Sequence, residues 1–174
     1  MILELVLVTA AGICLALAAV SDVRSFRIPN RYPALLILLF LGTRLLWGFS
    51  INDWWHLLHF AIALSLGMLL FKLGWVGGGD AKLYAAAALW FSGTSAALLI
   101  FATGMAGLVL AIVYLLRRKL RRSDDPAQKK ERRIPYGLAI AIGALVVGAS
   151  LGPARLVGQQ APASSIIRFE DMTG

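Results

Sequence analysis

Gly77-Gly78-Gly79-Asp80-Ala81-Lys82-Leu83-Tyr84-Ala85-Ala86-Ala87-Ala88-Leu89-Trp90-Phe91 is the stretch on which the fold turns. From Asp80 to Phe91 it runs for 12 residues, about 18 Å of helix at 1.5 Å per residue. A hydrocarbon core of about 30 Å needs roughly 20 helical residues. Ser92-Gly93-Thr94 then reads as a turn. This run is therefore expected to be a helix that reaches only part-way across a bilayer, drawing Asp80 below the membrane surface. Backbone at that depth must be buried in protein or line a watery cavity.

The bilayer itself is implied by the rest of the chain. Its 174 residues are 59% hydrophobic and 15% charged, with a mean hydropathy of +0.78. Soluble domains are about 25% charged, and one small core cannot hide so much apolar surface. Disordered, collagenous and disulfide-scaffold classes fail on the same numbers. Cys14 is the sole cysteine, which excludes an intrachain disulfide and a Cys-pair zinc site.

Outward from residues 77–91, further apolar runs cover 2–20, 33–50, 53–73, 94–116 and 134–152. The reading is all-α: a polytopic membrane protein with six transmembrane helices, the fourth one short. Residues 1–152 form the membrane domain, and the polar stretch 153–174 is a tail expected to be flexible. The first run is not preceded by Lys or Arg, as a signal peptide would be.

Charge sets the orientation. Segment 117–133 carries nine basic against three acidic residues, and segment 21–31 carries Arg24, Arg27 and Arg31 against Asp22. Basic blocks between apolar runs mark cytoplasmic loops. With both termini outside, both blocks fall on the cytoplasmic side. Trp47, Trp54 and Trp55 then fit an outer interfacial belt. Arg44, on that outer side, is expected to snorkel outward. The basic excess indicates anionic lipid and an assembly partner, with no nucleic acid implied.

Two acids stand out. Asp22 ends the first run and Asp80 opens the fourth, both at the cytoplasmic face on this topology. Intramembrane acids are costly and usually functional. Paired carboxylates suit hydrolysis of a peptide bond by water: one takes a proton while the other polarises the carbonyl and then protonates the leaving amine. Two such charges about 4 Å apart repel by roughly 4 kcal/mol at an effective dielectric of 20, so the pair should share one proton. The triplet Gly77, Gly78 and Gly79 breaks the helix and lets another backbone approach, which suits an extended substrate. Blander roles exist for each residue. Asp80 suits a helix start, where it caps free N–H groups. Asp22 can pair with Arg24 or Arg27, and the glycines can be a flexible joint.

At these residues the chain resembles the type IV prepilin peptidases. Asp22 through Ile28-Pro29-Asn30 is similar to the family's first aspartate block. Gly77-Gly78-Gly79-Asp80 fits its Gly-x-Gly-Asp motif, continuing through Ala81-Lys82-Leu83. Ile134-Pro135-Tyr136-Gly137-Leu138-Ala139-Ile140 resembles the block that opens the last helix. The resemblance implies an intramembrane aspartic endopeptidase of the bacterial inner membrane. Such enzymes remove the short basic leader of prepilin-like precursors at the cytoplasmic face and serve pilus or secretion assembly. Asp22 and Asp80 would be catalytic, with Gly77, Gly78 and Gly79 against the substrate. No cofactor and no metal is implied. Larger members carry a Cys-x-x-Cys domain linked to N-methylation. This chain has only Cys14, so methyltransferase activity is not expected, and its short form looks like the peptidases of tight-adherence pilus systems.

Other residues carry weaker expectations. His56 and His59, at i and i+3, share a helix face but lack an evident third metal ligand, and are read as polar anchors at the outer interface. Lys82 sits on another face than Asp80, and Tyr136 is read as packing at a helix mouth. Two rival functions remain at this stage: a transporter or proton pathway using the buried acids, and a non-catalytic assembly subunit whose basic loop docks a partner.

Overall fold

In the computed structural model, residues 2–50, 53–120, 135–152 and Leu156 are described. They form six α-helices: α1 (Ile2–Ser25), α2 (Arg31–Trp47), α3 (Asp53–Lys72), α4 (Gly78–Ala88), α5 (Thr94–Leu120) and α6 (Tyr136–Leu151). Three segments are long and apolar enough to cross a membrane: Ile2–Ser25, Asp53–Lys72 and Thr94–Arg117. The other three helices are shorter, with 17 residues in α2, 11 in α4 and 16 in α6. Most of the basic block 117–133 and nearly all of the tail 153–174 lie outside the described residues.

The short helix is the centre of the bundle. α4 packs against α2, α3 and α6, while α1 packs on α2 and α6, and α5 on α6. Ala81, Leu83 and the run Ala85, Ala86, Ala87 and Ala88 are all buried. The alanines explain this position. They lose no side-chain entropy on forming a helix, and their small size lets neighbouring helices approach closely. The outer helices carry the reverse pattern. Leu5, Leu38, Leu66, Phe101 and Leu116 are all more than half exposed, as lipid-facing side chains would be. Turns with positive φ bound α4 on both sides, at Gly74 (+78°) and Gly93 (+55°). That region is disfavoured for residues with a Cβ.

One end of the bundle is tied down by polar groups. A helix leaves its last carbonyls without intrahelical partners. The carbonyl oxygens just past α4 find theirs on α3: Leu89 O accepts from His56 Nδ1 at 2.7 Å, and Phe91 O accepts from His59 Nδ1 at 2.8 Å. A carbonyl only accepts, so each Nδ1 carries the proton. His56 Nε2 is then left to accept from Ser92 Oγ at 3.0 Å. The Trp90 indole donates to Leu36 O of α2 at 3.3 Å. The two histidines thus share a face as expected, and they clamp α3 to the chain after α4.

Arg44 is a second correction. It is 3% exposed, pairs with Asp53 at 3.2 Å and lies over the Phe40 ring. Asp53 also accepts from Ser50 N at 2.7 Å. An acid within reach in the next helix holds the guanidinium inside, where snorkelling would have taken it outward.

Candidate active site: two carboxylates around one amide

The opposite end of the bundle holds the two acids. α1 runs one turn further than its apolar pattern, to Ser25, so Asp22 sits within its last turn and is 5% exposed. The helix stops at Phe26, whose φ of +51° is unusual for a bulky residue. The reversal is fastened locally. Phe26 N donates to Asp22 O at 2.8 Å, and Ser21 Oγ and Ser25 Oγ donate to Arg27 O at 3.0 and 3.3 Å. The chain then doubles back, bringing Ile28 up against Gly79 and Gly137.

Asp22 Oδ2 accepts from Gly137 N, at the start of α6, at 2.8 Å. Arg24 and Arg27 are exposed, so the bland pairing of Asp22 with a neighbouring arginine is not what the fold uses. Asp80 lies close enough to Asp22 and to the Gly137 amide for both to act on its carboxylate. The start of α6 therefore comes up to two carboxylates that are 58 positions apart in the chain.

Asp80 combines its bland and its chemical reading. It lies in the first turn of α4, whose N-cap is Gly77. Its carboxylate is turned back toward the Gly77 amide, as an acid at this position of a capping box would be. Its other oxygen, Oδ1, is buried and makes no hydrogen bond. Buried polar atoms are normally satisfied, so Oδ1 is the group at this end with unused capacity. Asp80 also lines a cavity of about 630 Å³, together with Tyr84, Thr103 and Tyr136. Tyr136 thus reaches the cavity instead of only packing at the helix mouth.

The glycines serve this fold by close approach and not by unusual φ. None of Gly77, Gly78 and Gly79 has positive φ, and Gly78 and Gly79 already belong to α4. What they provide is close approach. A Cβ at Gly79 would lie 3.1 Å from Ile28 Cβ and 3.3 Å from Ile28 O. The approaching backbone is this chain's own Ile28. A Cβ at Gly77 would stand 2.5 Å from Asp80 Oδ2, and one at Gly137 would stand 2.8 Å from Asp22 Oδ2 and 2.7 Å from Ile28 Cδ1.

Sequence reasoning assigned no role to Ile28 and Gly137, which together set the spacing of the acids. The signal was present: Ile28 is an apolar residue inside a basic loop, and Gly137 opens a helix that gains nothing locally from glycine. Lys82 leaves the acids alone and donates to Asn30 Oδ1 at 3.3 Å, bridging α4 to the loop that carries Ile28. Cys14 is buried in the core, as expected.

No curated protein and no solved structure matches the chain. Residues 9–112, more than half of the chain and including both acids, match the type IV leader peptidase family. Three apolar helices of spanning length accord with a membrane protein. An acid pair around a shared amide, in an apolar helical bundle whose sequence matches peptidases over that length, assigns the chain to the type IV leader peptidase family.

Proposed function

We propose that this protein is an intramembrane aspartic endopeptidase that removes the basic leader from prepilin-like precursors at the cytoplasmic face of the bacterial inner membrane. The observation that carries the proposal is the meeting of Asp22 and Asp80 around the Gly137 N–H.

The chemistry follows from that pairing. The dyad holds one proton. The ionised carboxylate takes a proton from water as its oxygen attacks the scissile carbonyl carbon, and the protonated carboxyl donates to the carbonyl oxygen. As the tetrahedral gem-diol collapses, one hydroxyl returns its proton to the carboxylate that had donated, the C–N bond breaks, and the leaving amine takes a proton from the other carboxyl. The leader gains a carboxylic acid end and the mature chain an amine, the acid's proton passing to the amine on release, with one proton left on the dyad. Fixed N–H groups at Gly77 and Gly137 hold the carboxylates before substrate arrives, which lowers the reorganisation needed during reaction.

A six-span topology with both termini outside accords with this reading. The end of α1 and the starts of α4 and α6 meet at the acids, so the loops after α1, α3 and α5 belong to one side. Those loops include both basic blocks. Methyl transfer is not part of the proposal, since the chain has no Cys-x-x-Cys motif.

The test is cleavage of a prepilin-like precursor by the protein in vesicles. Asp22→Asn and Asp80→Asn, each folded, should abolish it. Retained cleavage by either variant would defeat the dyad. An ion or proton flux that needs Asp80, with no precursor cut, would favour a transport role.

A further inference from the structure

Three helix ends meet at Ile28. The chain reaches it from α1 through the turn at Phe26, whose positive φ is unusual for a bulky residue. Ser21 Oγ and Ser25 Oγ fasten that turn through the Arg27 carbonyl. The Ile28 backbone lies along the first turn of α4. A Cβ at Gly79, the residue before Asp80, would stand 3.1 Å from Ile28 Cβ, 3.3 Å from its O and 3.5 Å from its N. The tip of the side chain reaches the start of α6. A Cβ at Gly137, whose amide holds Asp22, would stand 2.7 Å from Ile28 Cδ1. Two residues on, Asn30 Oδ1 ties the same loop to α4 by accepting from Lys82. One side chain thus bridges the turn that carries Asp80 and the turn that holds Asp22.

We infer that Ile28 is a positioning residue for the dyad: its side chain is a spacer that keeps the starts of α4 and α6 at the separation at which Asp22 and Asp80 share one proton, and the fastened turn at Phe26 holds the spacer in place. The inference rests on the peptidase reading and adds to it what tunes proton sharing. The physical reason is packing. Gly79 and Gly137 have no side chains to fill the space beside the acids, and Ile28 fills it for both. A space emptied in a close-packed interior is partly closed by movement of its walls. Without the outer atoms of Ile28, α4 and α6, which already pack on each other, close up and bring the carboxylates together. Their repulsion then rises, and each ångström of approach near 4 Å separates the two proton-binding steps by about 0.5–1 pH unit at an effective dielectric of 20. The other charged or titratable groups of these segments are Arg24 and Arg27 on the α1 side, Lys82 on α4 and Tyr136 on α6. Ile28→Ala alters none of them, so a change in the spacing of the steps reports distance.

The test uses the full-length protein in vesicles with a prepilin-like precursor. Ile28→Ala should lower kcat about tenfold to a hundredfold, as small misplacements of reacting groups do, with KM kept within a factor of about three. The two limbs of its kcat–pH profile should move apart. Limbs that stay in place or draw together would overturn the inference. Leu99→Ala, a truncation of a buried core residue on α5, should lower thermal stability but leave the limb spacing unchanged. An equal shift in that variant would show that any loss of core moves the acids, and would also overturn it. A double substitution probes the contact itself. Ile28→Val removes Cδ1 and keeps Cβ and the backbone. Added to Gly137→Ala, whose new Cβ would meet Cδ1, it should raise kcat about threefold. Added to Gly79→Ala, whose new Cβ would meet Ile28 Cβ and backbone, it should restore nothing. Equal recovery in both, or recovery in neither, would overturn the spacer. Failure of the wild-type protein to cut the precursor would count against the peptidase reading alone. Carboxyl-carbon NMR titration of Asp22 and Asp80 in micelles would still decide the spacer, by whether their two steps separate further in Ile28→Ala.

Discussion

The two ends of this bundle use their buried polar groups differently. At the far end, Arg44 meets Asp53, His56 meets both Leu89 O and Ser92, and Phe91 O receives His59. These bonds join α2 to α3 and α3 to the chain after α4. At the acid end, two carboxylates crowd one amide, and Asp80 Oδ1 has no partner at all. The first arrangement satisfies most of its groups, although His59 Nε2 is buried there without a partner. The second leaves an oxygen of a buried acid unused, which on the proposed reading serves the reaction. α4 links them: its far end is clamped, so the height of Asp80, about 14 Å away along nine residues, is set from there.

Substitutions can break this contrast, and the largest effect belongs to the acids. Asp80→Asn and Asp22→Asn should each cut the cleavage rate by at least about a thousandfold while thermal unfolding moves little, because general acid–base chemistry is lost and shape is kept. Next comes Gly137→Ala, whose new Cβ would press on Asp22 Oδ2 and Ile28. We expect a destabilisation of about 1–3 kcal/mol together with a steep fall in kcat. A fall in stability alone would mean that the amide does not position the acids.

The far end should respond in stability rather than chemistry. Arg44→Met leaves Asp53 buried without its cation, and should lower stability by about 3–5 kcal/mol. Adding Asp53→Leu should restore most of it, as measured by denaturant unfolding in micelles. His56→Leu should cost about 1–3 kcal/mol by leaving Leu89 O unsatisfied, with kcat per folded molecule kept within a factor of about three. A larger loss of kcat would show that clamping α4 also tunes the site. The smallest effect is expected for Lys82→Met, whose 3.3 Å bond to Asn30 is exposed: under about 0.5 kcal/mol, with cleavage nearly unchanged.

Much of this was legible from one dimension. The apolar runs anticipated six helices; the run expected to be helical from Asp80 to Phe91 is helix over Gly78–Ala88. Asp22 and Asp80 were singled out because an acid in an apolar chain has few bland uses. Other readings failed where a partner lay far off in sequence. Arg44 was expected to reach for water because Asp53 was not seen as its neighbour. The clamp made by His56 and His59 was missed because nothing in the sequence shows that the Leu89 and Phe91 carbonyls end beside them. The glycine triplet suggested the close approach of another backbone, but only the structure shows that at Gly79 it is Ile28 of this chain.

Composition, hydropathy and spacing determined that the chain is an all-helical bundle for an apolar solvent, with a short alanine-rich helix and two exceptional carboxylates. These are properties of each segment and its solvent, so no knowledge of neighbours is needed. Only the tertiary structure decided that α4 is the central helix, that Gly137 brings its amide up to the acids, and that a cavity opens beside Asp80. Such features depend on which surfaces meet across 50 to 115 positions of chain, and close packing selects that pairing by shape, which local pattern does not encode.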